Sequence, residues 1–404
     1  MFIWIILSSL AAVYMAFVLG GNDAANAVAT SVGSKAIDYK KGVIIAAISN
    51  LIGALLVGGH VTQTIGKDIV KIEYFVQYRN LFILGMFSSL FSAGLWVQIA
   101  THLGMPISTT HSIVGAVIGF GLFAGGISYV YWLKILKIFL SWVISPILGA
   151  IVAFFIFNFV RLLILDAKDP FLNAKKYGPI LSSFVFIIIT FSTIYKGLKL
   201  NVPFFQSVII SISFAFFGYI ITWSFLKERE EKNGVYSKVE KLFGVLQLLT
   251  ATYMGFAHGA NDVANAIGPA AAIYSVMKGA GKEFFIPIWL LFFGGFGLAV
   301  GTALFGYKVI KTVGEEVTDI TPTRGFSAEF AAATTVLIFS KLGLPISTTH
   351  TVVGAVIGIG IARGMASLNL GVIRNIILSW MFTVPVSAIL SGIIFSILKI
   401  FLTL

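Results

Sequence analysis

The sequence predicts an all-α polytopic membrane protein, with about 10–12 transmembrane or re-entrant helical elements in two inverted repeats. Its 404 residues are 58% hydrophobic and only 11% charged, far from the composition of a soluble globular protein. Apolar runs long enough to cross a bilayer recur along the whole chain. Two polar motifs also occur twice at one fixed spacing, which indicates an internal duplication.

Seven apolar runs are the clearest candidates for membrane spans. They are residues 2–19, 43–59, 81–100, 138–160, 203–226, 284–305 and 376–403. The first run lacks a basic start and a small-residue cleavage site, so we expect a mature helix and no removable signal peptide. Cysteine is absent, which excludes disulfides and thiolate metal sites.

The basic residues lie mainly in short loops between these runs. The formal net charge is +12, and examples of such loops are residues 35–42, 173–178 and 227–241. This distribution indicates positive-inside topology and attraction to anionic lipid, with no nucleic-acid partner. We predict a multi-pass protein of the cell (plasma) membrane, with its N-terminus outside and loops 35–42 and 227–241 in the cytoplasm.

The duplication is exact in register. Residues 106–121, "PISTTHSIVGAVIGFG", match 345–360 at thirteen of sixteen positions, an offset of 239. "GGNDAANAV" at 20–28 matches "GANDVANAI" at 259–267 at six of nine positions, with the same offset. We therefore divide the chain into a first repeat core (1–124), connecting scaffold helices with a cytoplasmic loop (125–240), and a second repeat core with a C-terminal helix (241–404).

The "PISTTH" element predicts a helix that begins inside the membrane. Pro106 disfavours a helix interior, and the hydroxyl residues that follow it are natural N-caps for the apolar run beyond. The unpaired N–H groups of such a helix start, together with hydroxyl donors, form an anion site without Arg or Lys. With the preceding helix, the motif indicates a re-entrant hairpin lining a cavity. The alternative, a kinked helix capped by Ser or Thr, is weakened by the second copy.

The "GGNDAANAV" element carries an ionisable group within an apolar stretch, which by default indicates a functional site. Asp23 and Asn26 are three residues apart and share a helix face, as do Asp262 and Asn265. We expect Gly20, Gly21 and Asn22 to loosen the backbone before Asp23 and to free carbonyl groups. Oxygen ligands of this kind suit Na⁺, as they suit other hard cations.

Together the two motifs predict a symporter of an anion with cations. Buried carboxylates repel an anion at short range unless cations or protons bind with it, and this dependence is reciprocal. Hydrogen phosphate can donate a hydrogen bond to a carboxylate, whereas sulfate cannot at neutral pH. Phosphate is therefore favoured over sulfate, and both Na⁺ and H⁺ coupling stay open.

The paired signatures "GNDAANAV…PISTTHSIVGA" and "GANDVANAI…PISTTHTVVGA" resemble those of the inorganic phosphate transporter (PiT) family. The resemblance implies Na⁺-driven symport of inorganic phosphate, or H⁺-driven symport in some members, and no enzymatic activity or cofactor besides the coupling ion. It implies inverted repeats whose re-entrant hairpins meet near the membrane centre. Na⁺, phosphate and the lipid bilayer are the expected partners, and we expect a homodimer.

Carried over to this chain, the resemblance implies two sets of site residues. The cation-linked residues are Asp23, Asn26, Asp262, Asn265 and Glu329. The phosphate-contacting residues are Ser108, Thr109, Thr110, Ser347, Thr348 and Thr349. Glu329 has Leu90 as its equivalent in the first half, and animal members carry an acidic residue where this chain has Asn50. Glu329 is either a third cation site or a carboxylate that serves only topology.

Three further polar residues are expected around the site. We expect His111 and His350 to orient the hydroxyls, in preference to binding zinc. Gln98 either reaches the cavity or makes a helix–helix hydrogen bond. A serine hydrolase fits duplicated, equivalent sites poorly, and an anion channel fits buried aspartates poorly. No ATP-binding loop motif occurs in the sequence.

Overall fold

A computed structural model describes residues 2–75, 77–103, 105, 107–195, 202–227, 235–279, 284–306, 320–364 and 370–401. The described part of the chain is helical, and its one isolated β-bridge joins Val70 to Val130. Pro106, and residues 228–234 of the predicted cytoplasmic loop, lie outside the described residues.

Thirteen α-helices are described. In chain order they are α1 (Phe2–Gly33), α2 (Tyr39–Val57), α3 (Gly59–Lys67), α4 (Arg79–His102), α5 (Thr109–Gly125), α6 (Trp132–Val160), α7 (Pro170–Ile194), α8 (Phe204–Lys227), α9 (Val235–Met277), α10 (Ile288–Phe305), α11 (Pro322–Lys341), α12 (Thr348–Arg363) and α13 (Leu370–Phe401). Among the described residues, eight helical segments are long and apolar enough to cross a membrane. The prediction of an all-α polytopic membrane protein is confirmed.

Two helical hairpins define the centre of the molecule. Hairpin 1 consists of α4 and α5, and hairpin 2 consists of α11 and α12. The tips of the two hairpins meet, since the Thr110 hydroxyl donates to the Ile346 carbonyl at 2.9 Å and the Thr349 hydroxyl to the Ile107 carbonyl at 3.5 Å.

The hairpins open toward opposite faces of the protein. The open end of hairpin 1 lies beside the Val70–Val130 bridge. At the open end of hairpin 2, Thr323 contacts Glu240 and the Ala362 carbonyl accepts from Arg161. Helices α7 and α8 lie between the two repeats along the chain. Because the two hairpins open toward opposite faces, the second repeat is inverted relative to the first, as predicted.

The two halves pack by exchanging partners. Helix α1 packs on α10, α2 on α9, α5 on α13, and α6 on α12. Glycines allow the closest approaches, because a Cβ atom at Gly354 or Gly358 of α12 would lie 2.2 Å from the Pro146 carbonyl oxygen or 2.1 Å from the Ala150 carbonyl oxygen of α6. Small residues four apart are the usual means by which membrane helices approach closely.

The structure changes two details of the predicted organisation. Helix α1 runs unbroken through Gly20 and Gly21, so the expected loosening before Asp23 is wrong. Gly20 instead packs against the α10 backbone, where a Cβ would lie 2.1 Å from the Leu298 carbonyl oxygen. Helix α6, which we assigned to the connecting region, packs on hairpin 2 as α13 packs on hairpin 1, so it takes part in the repeat.

The described parts of ranges 35–42 and 227–241 border the same face of the protein. Lys41 in the first range and Lys241 in the second line a common cavity. This agrees with the prediction that both loops lie on one side of the membrane.

The glycine contacts predict a steep stability effect at α12. Gly358→Ala should lower the free energy of unfolding by about 1–3 kcal/mol, because the added methyl group meets a backbone carbonyl that cannot move aside. Thermal unfolding of the purified protein in detergent measures this. Gly59→Ala is the matched control, since its Cβ would meet its nearest neighbour at 4.0 Å. Equal melting temperatures for the two variants would contradict the packing argument.

Candidate functional site

The site is built on two helix starts that face each other at the hairpin tips. Ser108 caps α5 and Ser347 caps α12, each accepting a hydrogen bond at 3.2 Å from the backbone N–H three residues later. Helical geometry leaves the next N–H groups, those of Thr109 and Thr348 among them, without an intrahelical partner. The positive ends of both helix dipoles therefore converge on one buried region.

Two carboxylates lie directly beside these helix starts. The Thr109 hydroxyl donates to Asp23 Oδ2 at 2.7 Å, and the Thr348 hydroxyl donates to Asp262 Oδ2 at 2.7 Å. Asp23 and Asp262 are 1% and 0% exposed, so each carboxylate is held by protein groups and not by bulk water. The residues that the duplication paired in sequence are thus paired in space.

The asparagines join each aspartate to the opposite hairpin. Asn26 donates to Asp23 Oδ1 at 3.0 Å and to the hydroxyls of Thr348 and Thr349 at 3.1 and 2.9 Å. Asn265 repeats this arrangement, donating to Asp262 Oδ1 at 2.8 Å and to Thr110 at 3.0 Å. Its buried Oδ1 atom has no hydrogen-bond partner among the described residues, so it is available as an oxygen ligand for a cation.

A second pair of asparagines, at matching positions, fixes the hairpins to the helices that carry the aspartates. Asn22 donates to the Thr101 hydroxyl and Asn261 to the Ser340 hydroxyl, both at 2.9 Å. The sequence predicted only a loosened backbone at Asn22 and no role for Asn261, although both belong to the repeated "GxND" motif. Their contacts explain why the motif contains two neighbouring polar residues: one positions the hairpin and the other faces the site.

His258 is a site residue that sequence reasoning missed. Its Nε2 atom lies 3.1 Å from Asp262 Oδ2 and 3.8 Å from Asp23 Oδ2. One ligand atom from each of these three residues falls within 4.8 Å of the others. His258 Nδ1 donates to Asn50 Oδ1 at 3.0 Å, which orients Nε2 toward the carboxylates. Its position one turn before Asp262 was the available signal, but Leu19 is its equivalent and the duplication therefore concealed it.

Glu329 occupies a separate, fully buried polar cluster. Its Oε1 atom accepts from the hydroxyls of Thr30 and Ser31, each at 2.5 Å, and Oε2 accepts from the Thr250 hydroxyl at 2.6 Å. Gln247 Nε2 lies 3.5 Å from Oε1. Glu329 is 3% exposed, so it does not lie at an aqueous end of its helix. Thr30 lies one turn beyond Asn26 on α1, which places this cluster next to the central site.

The remaining predicted residues lie outside the hydroxyl cluster. The rings of His111 and His350 contact each other and pack against Trp142 and Trp380, with centroid distances of 3.7 Å and 3.4 Å to the indole rings. Trp142 Nε1 in turn donates to the Pro345 carbonyl at 2.8 Å, beside the hairpin 2 tip. Gln98 accepts from the Tyr14 hydroxyl, a helix–helix hydrogen bond away from the site.

The position of His258 between two buried carboxylates predicts that its replacement destabilises the protein. The duplication alone does not predict this, because the first half has no equivalent histidine. His258→Leu, which copies the residue at the equivalent Leu19, should lower the free energy of unfolding by about 3–5 kcal/mol in Na⁺-free buffer. It removes the ring that separates two buried carboxylates. Thermal unfolding in detergent measures the change, with the exposed His102→Leu as the control. Unchanged stability would show that the carboxylates do not depend on the imidazole.

Comparisons with known proteins match this chain almost from end to end. The model of the phosphate transporter family matches residues 19–391. A phosphate permease of Pyrococcus abyssi is 43% identical over 98% of both chains, and one of Haemophilus influenzae is 45% identical over 96% of this chain and 94% of its own. An inorganic phosphate transporter of the Arabidopsis thaliana chloroplast is 41% identical over 94% of this chain and 70% of its own.

The fold also matches a solved structure. The protein, described as the sodium-dependent phosphate transporter, is 41% identical and superposes with a TM-score of 0.94 over 98% of this chain and 99% of its own. A family of permeases accounts for the multi-pass architecture and excludes an enzyme. The family that the duplicated motifs indicated is confirmed: the chain belongs to the phosphate transporter family.

Proposed function

We propose that the protein is a secondary active symporter that moves inorganic phosphate into the cell together with Na⁺. The observation that carries this proposal is the sharing of hydroxyl donors. The hydroxyls of Thr109 and Thr348 lie at helix starts suited to an anion and also donate to Asp23 and Asp262. One set of groups therefore serves both the anion and the acidic residues that would bind cations.

Phosphate would bind between the two hairpin tips. Each helix start offers backbone N–H groups and the hydroxyls of two threonines, and the dipoles of α5 and α12 both favour negative charge there. Ser108 and Ser347 act as N-caps in our proposal, holding the helix starts in shape while the threonines contact the anion. No Arg or Lys takes part in the contacts recorded for these threonines in the described part of the chain, so bound cations would set the charge of the proposed site.

Na⁺ would bind at the aspartates and asparagines. Carboxylate and amide oxygens of Asp23, Asn26, Asp262 and Asn265 are hard ligands that suit Na⁺. A cation on each carboxylate would compete with the threonine hydroxyls for the same oxygen atoms. The released hydroxyls could then donate to phosphate. Cation binding and anion binding would thereby favour each other, and this coupling is reciprocal by thermodynamic necessity.

Glu329 supplies a third carboxylate, for which we propose an additional cation site. Thr30, Ser31 and Thr250 offer hydroxyl oxygens within 2.6 Å of its carboxylate, so that a cation there would have several oxygen ligands. The equivalent position in the first half is Leu90, so a site here would exist in one copy only. A buried carboxylate in such surroundings fits an ion-binding role better than a topological one.

Na⁺ is preferred over H⁺ as the coupling ion for two reasons. The oxygen-rich surroundings of all three carboxylates suit a metal cation, and the matched solved structure is described as sodium-dependent. Phosphate is preferred over sulfate because the relatives are described as phosphate permeases or transporters. A proton-coupled symporter is the second candidate, which His258 between the two aspartates favours.

The decisive experiment is phosphate uptake into proteoliposomes. An inward Na⁺ gradient should drive accumulation of labelled phosphate above the external concentration, because downhill Na⁺ entry pulls the anion with it. Replacing Na⁺ by choline at fixed pH should abolish accumulation. Uptake in choline that follows an imposed pH gradient would assign the coupling to H⁺. Phosphate entry that persists without Na⁺ and without a pH gradient would contradict symport. Excess sulfate should leave uptake unchanged.

The two proposed kinds of cation site predict different mutant behaviour. Asp262→Asn should abolish uptake, because the central carboxylate is needed to hold the cation beside phosphate. Glu329→Gln should keep uptake but raise the Na⁺ concentration for half-maximal rate about tenfold, the cost of one charge-assisted contact. The exposed Asp38→Asn is the control. Normal uptake by Asp262→Asn in folded protein would remove this carboxylate from the coupling mechanism.

A further inference from the structure

A cavity of about 710 Å³ opens between the ends of α1, α2 and α9, on the face where hairpin 2 opens. Its rim carries three lysines, Lys35, Lys41 and Lys241. One or two turns further along the helices, its wall is apolar and is formed by Ile44, Ile45, Val245 and Leu248. A basic rim above an apolar wall is the arrangement expected for a ligand that is itself anionic at one end and apolar at the other.

Two acidic residues are described at the rim. Glu240 is the one that lines the cavity among the described residues, and both of its carboxylate oxygens accept from Thr323, from the N–H and the hydroxyl, each at 2.9 Å. Asp38 Oδ2 lies 3.0 Å from Lys41 Nζ, but this pair is exposed: the Lys41 side chain is 74% accessible and that of Asp38 is 54% accessible. Exposed pairs of this kind are weak and easily exchanged for another anion.

The backbone at Lys35 gives a second, independent observation. Lys35 follows the end of α1 with φ +61°, and it is the one non-glycine residue with positive φ in the described ranges. Glycine is the usual residue at such a position, because a side chain there is strained. A lysine kept in this conformation directs its side chain to the cavity rim at a conformational cost, and such strain is typical of functional positions.

The apolar wall opens toward the membrane. Ile44 is 58% exposed and Leu248 is 39% exposed, although both lie on helices that pack in the core of the protein. We propose that this cavity binds an anionic phospholipid, with the headgroup phosphate at Lys35, Lys41 and Lys241 and an acyl chain along Ile44 and Leu248. A soluble anion would use the rim but not the wall, so the wall favours a lipid over free phosphate.

The site would connect the lipid to the transport machinery. Ser34 lines the cavity and donates to Gln247 Oε1 at 2.7 Å, and Gln247 Nε2 lies 3.5 Å from Glu329. A bound headgroup would hold the end of α1 against α9, directly beside this chain of hydrogen bonds. The lipid would thus stabilise the helices that surround the third carboxylate.

Two kinds of variant test the site: one removes positive charge from the rim, and the other fills the cavity. Lys35→Gln combined with Lys241→Gln removes two of the basic contacts. Gly244→Phe keeps every charge but fills the cavity, since a Cβ at Gly244 meets only Ala36, at 3.8 Å. Lys175→Gln combined with Lys176→Gln is the matched control, because it removes the same charge from the start of α7, outside the cavity lining.

Binding is measured on the purified full-length protein in detergent, by native mass spectrometry and thermal unfolding. Phosphatidylglycerol is compared with phosphatidylcholine of the same acyl chains, and inorganic phosphate is a separate arm. Phosphatidylglycerol should bind and raise the melting temperature, with affinity about 30-fold weaker in the double lysine variant. Gly244→Phe should lose this binding and the α7 control should keep it.

Three results would overturn the proposal. The first is equal binding of phosphatidylglycerol and phosphatidylcholine by the unaltered protein. The second is phosphatidylglycerol binding that the cavity variants leave unchanged. The third is stabilisation by inorganic phosphate with the same lysine dependence, which would assign the rim to a soluble anion. Variants that fail to fold are recognised by their melting curves, and the lipid comparison on the unaltered protein then decides.

Discussion

The burial of two carboxylates beside two helix starts is the constraint on which the rest of the structure depends. Asp23 and Asp262 lie in the protein interior, where an uncompensated negative charge is costly. Hydroxyl, amide and imidazole groups surround them, and the positive ends of α5 and α12 point at the same region. The hairpins, the exchanged helix partners and the close glycine contacts all serve to hold these groups within hydrogen-bond distance of one another.

The site departs from two-fold symmetry in the residues that occur once. His258, Asn50 and Glu329 correspond to Leu19, Trp289 and Leu90 in the other half. The threonines at the hairpin tips and the aspartate–asparagine pairs, in contrast, are present in both copies. In the proposed function, these symmetric groups would bind an anion on the axis between the halves. The unsymmetric groups make the two sides of the site chemically different, which a transporter needs if its two membrane faces are to behave differently.

Much of this architecture was predictable because the duplication ties distant residues together. The register of 239 residues paired Asp23 with Asp262 and Thr109 with Thr348, and the N-cap chemistry of Ser108 and Ser347 located the helix starts. Residues without a duplicate were not predictable in this way. His258 lies one turn before Asp262, but it meets Asp23 only because α9 packs on α1. The partners of Glu329 come from α1 and α9, and only the packing of these helices against α11 brings them together. Likewise, the glycine pair Gly20–Gly21 predicted a loosened backbone. In the structure both residues lie in a continuous helix and pack closely on α10.

The exchange of helix partners has a consequence for biogenesis. Helix α1 packs on α10, and hairpin 1 packs on α13, the last helix of the chain. Synthesis proceeds from the N-terminus. The first half therefore lacks its neighbours α10 and α13 until almost the entire polypeptide has been inserted. Contacts so distant in sequence form late and slowly. Until then Asp23 lacks its contacts with His258 and Thr349, so its carboxylate must be solvated in another way.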